Sequence, residues 1–368
     1  MMRTADQRIR ILELYAGIGG MRFGLEGYVS RIQQDDGSTR RSPAAISVTA
    51  VDISPHAKEV YDYNFPGEHS KNVDVRALRD EEFDVWLLTM SPPCQPFTRN
   101  GNGRDVLDFR CESFLHILER LERLDRVPQH IVMENVQGFE TSDAHSRFIA
   151  VMRKRGYMLT EYLLNPVDFG YPNSRLRYYL TGKLVIPGHA AAPEYFGPYQ
   201  PLMERTLRST GNSSPRKTLQ EYLLDGQPWG NPEVNLQASF AVPIETCEKY
   251  LMVMDVKHPE SDTTNCFTSN YGRYLKGAGS VFCPLSEQEF EVLCRKYVAA
   301  DTTEERRTCV AAMKLRYFTP VEVALLMGFP NSFRFPAHMT NKVCWRLVGN
   351  SLNVKIISVL LKELLILS

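Results

Sequence analysis

Short apolar runs alternate with helix-patterned segments through the first half of the chain, and this limits the fold more than any other feature. The runs fall at Ile9–Leu14, Ile46–Val51, Val85–Met90 and Ile131–Met133. Between the last two, Phe114, Leu115, Ile117, Leu118, Leu121 and Leu124 share one helical face. A second helix is expected after Thr141-Ser142-Asp143, all good helix caps, ending at Gly156. Tyr157–Leu164 and Leu176–Leu184 read as two further strands. This rhythm predicts an α/β fold with a parallel sheet.

From Ile186 the rhythm is lost, and prolines, glycines and serines become frequent through Pro232. Residues 186–345 are therefore expected to form a smaller domain with its hinge, and 1–185 with 346–368 the main domain. Helical periodicity returns at Val321–Met327, before Gly328. The last segment, Leu352–Leu367, reads as an amphipathic helix capped by Asn350 or Ser351. So apolar a helix needs a sheet to cover, so it is expected to rejoin the first domain. The polar stretch Ser30–Pro43 is expected to be a surface loop.

Formal net charge is zero, so no global basic field announces nucleic acid, and any such site must be a local patch. The eight cysteines include no CxxC pair, which argues against a zinc site and for reduced intracellular thiols. No metal is expected. The chain has no run of eighteen apolar residues, and Glu13 interrupts the first apolar stretch. Neither a membrane span nor a signal peptide is therefore expected.

The segment Glu13-Leu14-Tyr15-Ala16-Gly17-Ile18-Gly19-Gly20 follows a predicted strand and opens a predicted helix. Glycines there let backbone N–H groups and a ligand approach closely at a strand's carboxyl end. A tight strand–helix turn without a ligand is the plainer alternative. The next strand ends in Val51-Asp52-Ile53, where a carboxylate can accept from both hydroxyls of a ribose. Asn72-Val73-Asp74-Val75 is read as the end of a third strand, with Asp74 placed to bond the exocyclic amine of an adenine. Three such positions on consecutive strand ends point to a nucleoside ligand more strongly than any one of them.

Ser91-Pro92-Pro93-Cys94-Gln95-Pro96-Phe97 directly follows the strand Val85–Met90. The prolines fix the loop and hold Cys94 at the sheet's carboxyl edge. Carbon 5 of cytosine is a poor nucleophile. A thiolate adding to carbon 6 turns the ring into an enamine whose carbon 5 attacks a methyl sulfonium. A cysteine here therefore predicts carbon methylation. Addition is easier when N3 of the base is hydrogen-bonded by an acid, and Glu134 in Glu134-Asn135-Val136 lies where the following strand is expected to end. In Asn173-Ser174-Arg175-Leu176-Arg177, the two arginines at i and i+2 would point the same way on a strand. That suits a phosphate, a base carbonyl or a thiolate, with a charged solvent face as the alternative.

The AGIGG loop, Asp52, Asp74, SPPCQPF, ENVQGF, NSRLRY and Gly349-Asn350-Ser351-Leu352-Asn353-Val354 occur in one order along the chain. In this the sequence resembles the cytosine-C5 methyltransferase family, over about 1–185 and 345–368. The resemblance implies a Rossmann-like class I S-adenosylmethionine-dependent methyltransferase sheet, with a smaller target-recognition domain inserted before the C-terminal helix. It implies Cys94 as nucleophile, Glu134 as the N3 contact, and Arg175 and Arg177 as active-site arginines. The implied S-adenosyl-L-methionine pocket comprises Tyr15, Ala16, Gly17, Ile18, Gly19, Gly20, Asp52, Ile53, Asp74, Val75, Pro93, Asn350, Ser351 and Val354.

Asp62-Tyr63-Asn64-Phe65-Pro66, TMSPPCQPFTR, ENVQGFE and Asn265-Cys266-Phe267-Thr268 followed by Tyr271-Gly272 resemble the tRNA-methylating branch. Its members act on cytosine 38 of aspartate tRNA. The resemblance thus implies tRNA as partner, weak DNA binding at most, a monomer, and residence in the cytoplasm with the nucleus as a second compartment. Expected substrate contacts are Gln95, Arg99, Cys266, Phe267, Thr268, Arg273 and Lys276, with Arg104 and Arg110 as further phosphate candidates. The chain departs from the family at Val321, where an arginine is usual, so a helix-start ion contact is expected to be missing. A DNA methyltransferase and a silent nucleic-acid binder remain as alternatives.

Overall fold

Ile9–Leu14 (β1) and Ile46–Val51 (β2) are rich in β-branched residues, and they pair in parallel along their full lengths. The structure, a computed structural model, describes residues 9–35, 46–93, 111–185, 217–224 and 235–366. It divides into two compact units. The first is Met1–Asn165, Leu176–Ser213 and Val354–Ser368, and the second is Pro166–Arg175 and Ser214–Asn353.

In the first unit the strands after β2 are His69–Lys71 (β3), Leu87–Met90 (β4), His130–Val136 (β5), Tyr157–Leu164 (β6) and Arg177–Leu184 (β7). They form one seven-stranded sheet in the order β3-β2-β1-β4-β5-β7-β6. The helices between them are Gly20–Asp35 (α1), Pro55–Asn64 (α2), Glu112–Arg123 (α3) and Asp143–Lys154 (α4). Ser142 caps α4 by accepting from the His145 N–H at 3.0 Å. Phe114, Ile117, Leu118 and Leu121 of α3 are buried together with Leu88, Met90, Ile131 and Met133. Each such side chain stabilises by roughly 1.5–3 kcal/mol. The helix Val354–Ile366 packs on α1. A Cβ at Gly24 would meet the Ile357 side chain at 2.5 Å, so glycine permits that approach.

Three expectations change. The sheet is mixed, because β7 runs antiparallel to both β5 and β6. A helix, α4, carries the chain from β5 to β6, whereas only a short 3₁₀ turn, Pro166–Phe169, is described between β6 and β7; without a crossover helix the strand runs back. Next, α1 continues to Asp35, so Ser30–Asp35 is helical where a loop was expected, and 36–43 lie outside the described residues. Once its first turns bury Met21, Phe23 and Leu25, extending a helix costs little. Finally, β3 stops at Lys71, and Asp74 instead caps the 3₁₀ turn Val75–Ala77.

The second unit has a three-stranded sheet of Val256–Lys257, Val281–Phe282 and Arg316–Tyr317. Around it lie the helices Ile244–Tyr250, Glu287–Ala299, Thr303–Met313, Pro320–Leu326 and Asn341–Gly349. Cys247, Val281, Cys283, Val310, Met313 and Leu315 form part of its core. The ion contact expected to be missing at Val321 is supplied otherwise. Arg316 donates to both carboxylate oxygens of buried Glu322 at 2.8 and 2.9 Å, and its guanidinium lies 4.6 Å from the Phe282 ring centroid. Residues 166–175 and 346–353 fall within this unit. Asn350, offered as a cap of the last helix, instead closes Asn341–Gly349 through its N–H to the Arg346 carbonyl. Among the described residues no helix is long and apolar enough to cross a membrane.

Candidate active site

The loop after β1 turns sharply at its strand end. Tyr15, Gly17 and Gly19 have φ of 56°, 55° and 85°, a left-handed backbone that disfavours a bulky residue such as Tyr15. Two contacts hold Tyr15 there: Ser91 Oγ donates to its carbonyl at 3.2 Å, and its hydroxyl donates to Ser113 Oγ at 3.1 Å. A Cβ on Gly19 would meet the Phe65 ring at 2.5 Å, so that glycine is required by packing. At Gly17 an added Cβ would meet nothing within 4 Å. The space beside its backbone is open, as a ligand approaching the loop needs.

Asp52 reaches this loop from the end of β2. Its Oδ2 accepts from the Gly17 N–H at 2.8 Å and its Oδ1 from the Ser54 N–H at 2.7 Å. Burial pushes its carboxyl above the ordinary value, and the Ser54 and Gly17 N–H groups pull it back. Each oxygen keeps a lone pair, which suits a vicinal diol. The neighbouring Ile53 side chain is 69% exposed. Ile18 and Val75 are buried, so only their backbones can meet a ligand, whereas Pro93 is exposed. Open backbone at Gly17, acceptors at Asp52 and an acceptor at Asp74 fit an adenosyl group.

Glu13, beneath this loop, entered the sequence analysis only as a break in an apolar run and as the first residue of the glycine segment. It is 2% exposed, and burial pushes its carboxyl up to about 8 despite the nearby Arg22 guanidinium. Tyr61 donates to its Oε2 at 3.3 Å, while Arg22 is paired with Glu68 at 2.5 Å. A charged residue inside an apolar run was the available signal.

Glu134 lies inside β5 and not at its end. The strand continues because Asn135 and Val136 pair with Tyr178 and Arg177 of β7. That ladder puts Glu134 and Arg177 on one face, with Arg177 Nε 3.7 Å from Glu134 Oε1 and both side chains largely shielded. Cys94, Gln95, Arg99, Arg104 and Arg110 lie outside the described residues. Ser91, three residues before Cys94, ties the end of β4 to the glycine loop through Tyr15.

Arg175 does not share a strand face with Arg177. It precedes β7, in the second unit, and is 4% exposed. Its Nη1 donates to the Phe267 carbonyl at 3.0 Å and to Cys266 Sγ at 3.3 Å; its Nη2 donates to the Gly349 carbonyl at 3.3 Å and to the Ser351 carbonyl. Gly349 is required here, since a Cβ would meet the Thr268 carbonyl carbon at 2.3 Å. Arg175 therefore knits Cys266–Thr268 to Gly349–Ser351. Phe267, expected to touch substrate, is 1% exposed and packs edge-on against Tyr271 and Phe318. Aromatic packing is its role, while Cys266 and Thr268 are half-buried. Arg273 and Lys276 are exposed, and the Arg273 guanidinium sits 5.1 Å from the ring of exposed Tyr274.

A family model described as C-5 cytosine-specific DNA methylase matches residues 9–365. This chain belongs to the C-5 cytosine methyltransferase family. It is 37% identical over 365 residues to a tRNA (cytosine(38)-C(5))-methyltransferase of Schizosaccharomyces pombe, covering 98% of each chain. A protein of the same name from Rattus norvegicus is 36% identical over 400 residues, covering 97% of this chain and 99% of the relative. A solved structure of a mutant DNMT2 from Spodoptera frugiperda superposes with a TM-score of 0.75 at 34% identity, over 97% of this chain and 99% of that one.

In this methyltransferase the glycine loop and Asp52 stand at the ends of β1 and β2, and Asp74 in the turn after β3, all in the first unit. The Glu134–Arg177 pair lies on β5 and β7 of the same sheet. Asn350 and Ser351 belong to the second unit and Val354 to the first. Val354 is buried.

Proposed function

We propose that this methyltransferase modifies carbon 5 of cytosine 38 in a tRNA, with aspartate tRNA as the principal substrate. The observation that carries the reading is the end-to-end similarity to two proteins named for that reaction. S-adenosyl-L-methionine, when bound, supplies an electrophilic methyl group. Tyr15–Gly20, Asp52 and Asp74 would hold it. Cys94, as the thiolate, forms a bond to carbon 6 of the base. Glu134 donates a hydrogen bond at N3, which draws electron density away from carbon 6 and eases that addition. Arg177 keeps the Glu134 side chain facing one way. After methylation the carbon-5 proton leaves to solvent, the sulfur–carbon bond breaks, and Cys94 is released. Turning out a base from a single-stranded loop costs less than from a stacked duplex, where it is roughly a few kcal/mol. Exposed Arg273, Tyr274 and Lys276 offer a cation–aromatic surface of the kind that binds single-stranded nucleic acid.

The test offers labelled S-adenosyl-L-methionine with total tRNA and with genomic DNA separately, beside a Cys94→Ala control. Label in tRNA alone, absent with the variant, is expected. Label in DNA alone would keep the chemistry and overturn the substrate.

A further inference from the structure

The carboxylate of Asp74 is held by one residue of its own turn. The Arg76 N–H donates to Asp74 Oδ1 at 2.8 Å, Arg76 Nε to the same oxygen at 3.0 Å, and Arg76 Nη2 to Oδ2 at 2.8 Å. The remaining arm, Nη1, donates to Glu112 Oε2 on α3 at 3.2 Å. A carboxylate has about four lone-pair sites, two on each oxygen. Oδ1 is saturated by its two Arg76 donors. Oδ2 takes a single donor among the described residues and keeps one site. Asp74 is thus a single-acceptor group with a fixed direction.

We propose that Arg76 is a positioning residue for the cofactor's base: it locks Asp74 so that one lone pair of Oδ2 accepts the exocyclic amine of the adenine. This rests on the reading of Asp74 as the adenine contact. Two features make the hold more than an incidental surface ion pair. It is a planar two-point clasp, which fixes rotation as well as distance. The guanidinium also touches a second element, since its Nη1 meets exposed Glu112 on α3. The same guanidinium keeps the Asp74 carboxyl below its usual range, so the group stays an acceptor and does not become a donor. An adenine offers a donor at that position, whereas its deaminated counterpart, hypoxanthine, offers a carbonyl oxygen. A fixed lone pair therefore selects adenine and repels hypoxanthine.

The experiment is calorimetric binding of S-adenosyl-L-homocysteine and S-inosyl-L-homocysteine to the full chain and to Arg76→Met, Arg76→Lys and Asp74→Ala. Arg76 is exposed, so its variants are expected to fold. The wild type is expected to prefer the adenosyl form. Arg76→Met should weaken that form by about three- to tenfold, the cost of leaving one side chain to be ordered on binding, and shrink the preference. Arg76→Lys, which keeps the charge without the clasp, should behave like Arg76→Met. Asp74→Ala should abolish the preference. Wild-type affinity and preference in Arg76→Met, with both lost in Asp74→Ala, would overturn the role of Arg76 and leave that of Asp74. Tighter binding by Arg76→Met would make Arg76 a competitor and also overturn it. Full recovery in Arg76→Lys would replace positioning with simple charge. An unchanged preference in Asp74→Ala would remove the adenine contact itself, and the Arg76 inference with it.

Discussion

The N–H of Gly17 donates to Oδ2 of Asp52 at 2.8 Å, so the acid at the end of one strand sets the backbone of the loop at the end of its neighbour. The carboxylate shapes the loop, and in the proposed function its second lone pairs receive the ligand. Asp52→Ala removes both at once. Cofactor affinity measured by calorimetry should fall about 10- to 100-fold, the worth of hydrogen bonds to a charged group. Unchanged affinity would show that Asp52 serves the loop alone.

Glu134 is held within β5 beside Arg177, and its proposed task is to donate at N3 of the base. An amide at that place donates more weakly and cannot transfer a proton. Glu134→Gln should lower the single-turnover rate of methyl transfer by about 10²- to 10⁴-fold while leaving cofactor binding intact. A loss of only a few-fold would reduce Glu134 to a structural partner of Arg177.

Burial raises the Glu13 carboxyl from its ordinary 4.5 to about 8. In this interval the folded protein holds a proton that the unfolded chain has released. Stability contributed by protonated Glu13 is therefore complete below pH 4.5 and is lost as pH rises toward 8. Glu13→Gln has no such proton to lose. Thermal midpoints followed across that range should decline less steeply in the variant than in the wild type, and parallel declines would count against the assignment.

A Cβ at Gly349 would lie 2.3 Å from the Thr268 carbonyl carbon, and backbone yields less readily than a side-chain tip. Gly349→Ala should destabilise the second unit by about 1–3 kcal/mol, the usual cost of overpacking. Denaturant titration followed by tryptophan fluorescence in a Trp86→Phe, Trp229→Phe background, which leaves Trp345 packed against Tyr271 in that unit, would register the shift. A midpoint equal to that of the wild type would show that the two segments separate easily.

Periodicity and capping residues made most of the first unit legible. The six-residue runs of β1 and β2, the apolar face of α3 and the Ser142 cap are local signals, set within a few residues of chain. The placement of the glycine loop and Asp52 at strand ends was legible for the same reason, since the pattern marks those ends. Long-range pairing was not. Glu134 and Asn135 look like the polar end of a strand, and only β7 returning beside β5 keeps them inside it.

The sequence by itself determined the family, the chemistry expected of Cys94 and the strands that flank the glycine loop, because these rest on residue type and spacing. Tertiary structure alone decided how residues with similar sequence surroundings divide their work. Arg175 and Arg177 stand two positions apart, yet one donates to the carbonyls of Phe267 and Gly349 and the other lies beside Glu134. Phe267 sits in a motif that invites a substrate contact and is buried in an aromatic core. Burial, partner choice and the direction of a lone pair depend on segments far apart in the chain. A local pattern cannot encode them until the fold brings those segments together.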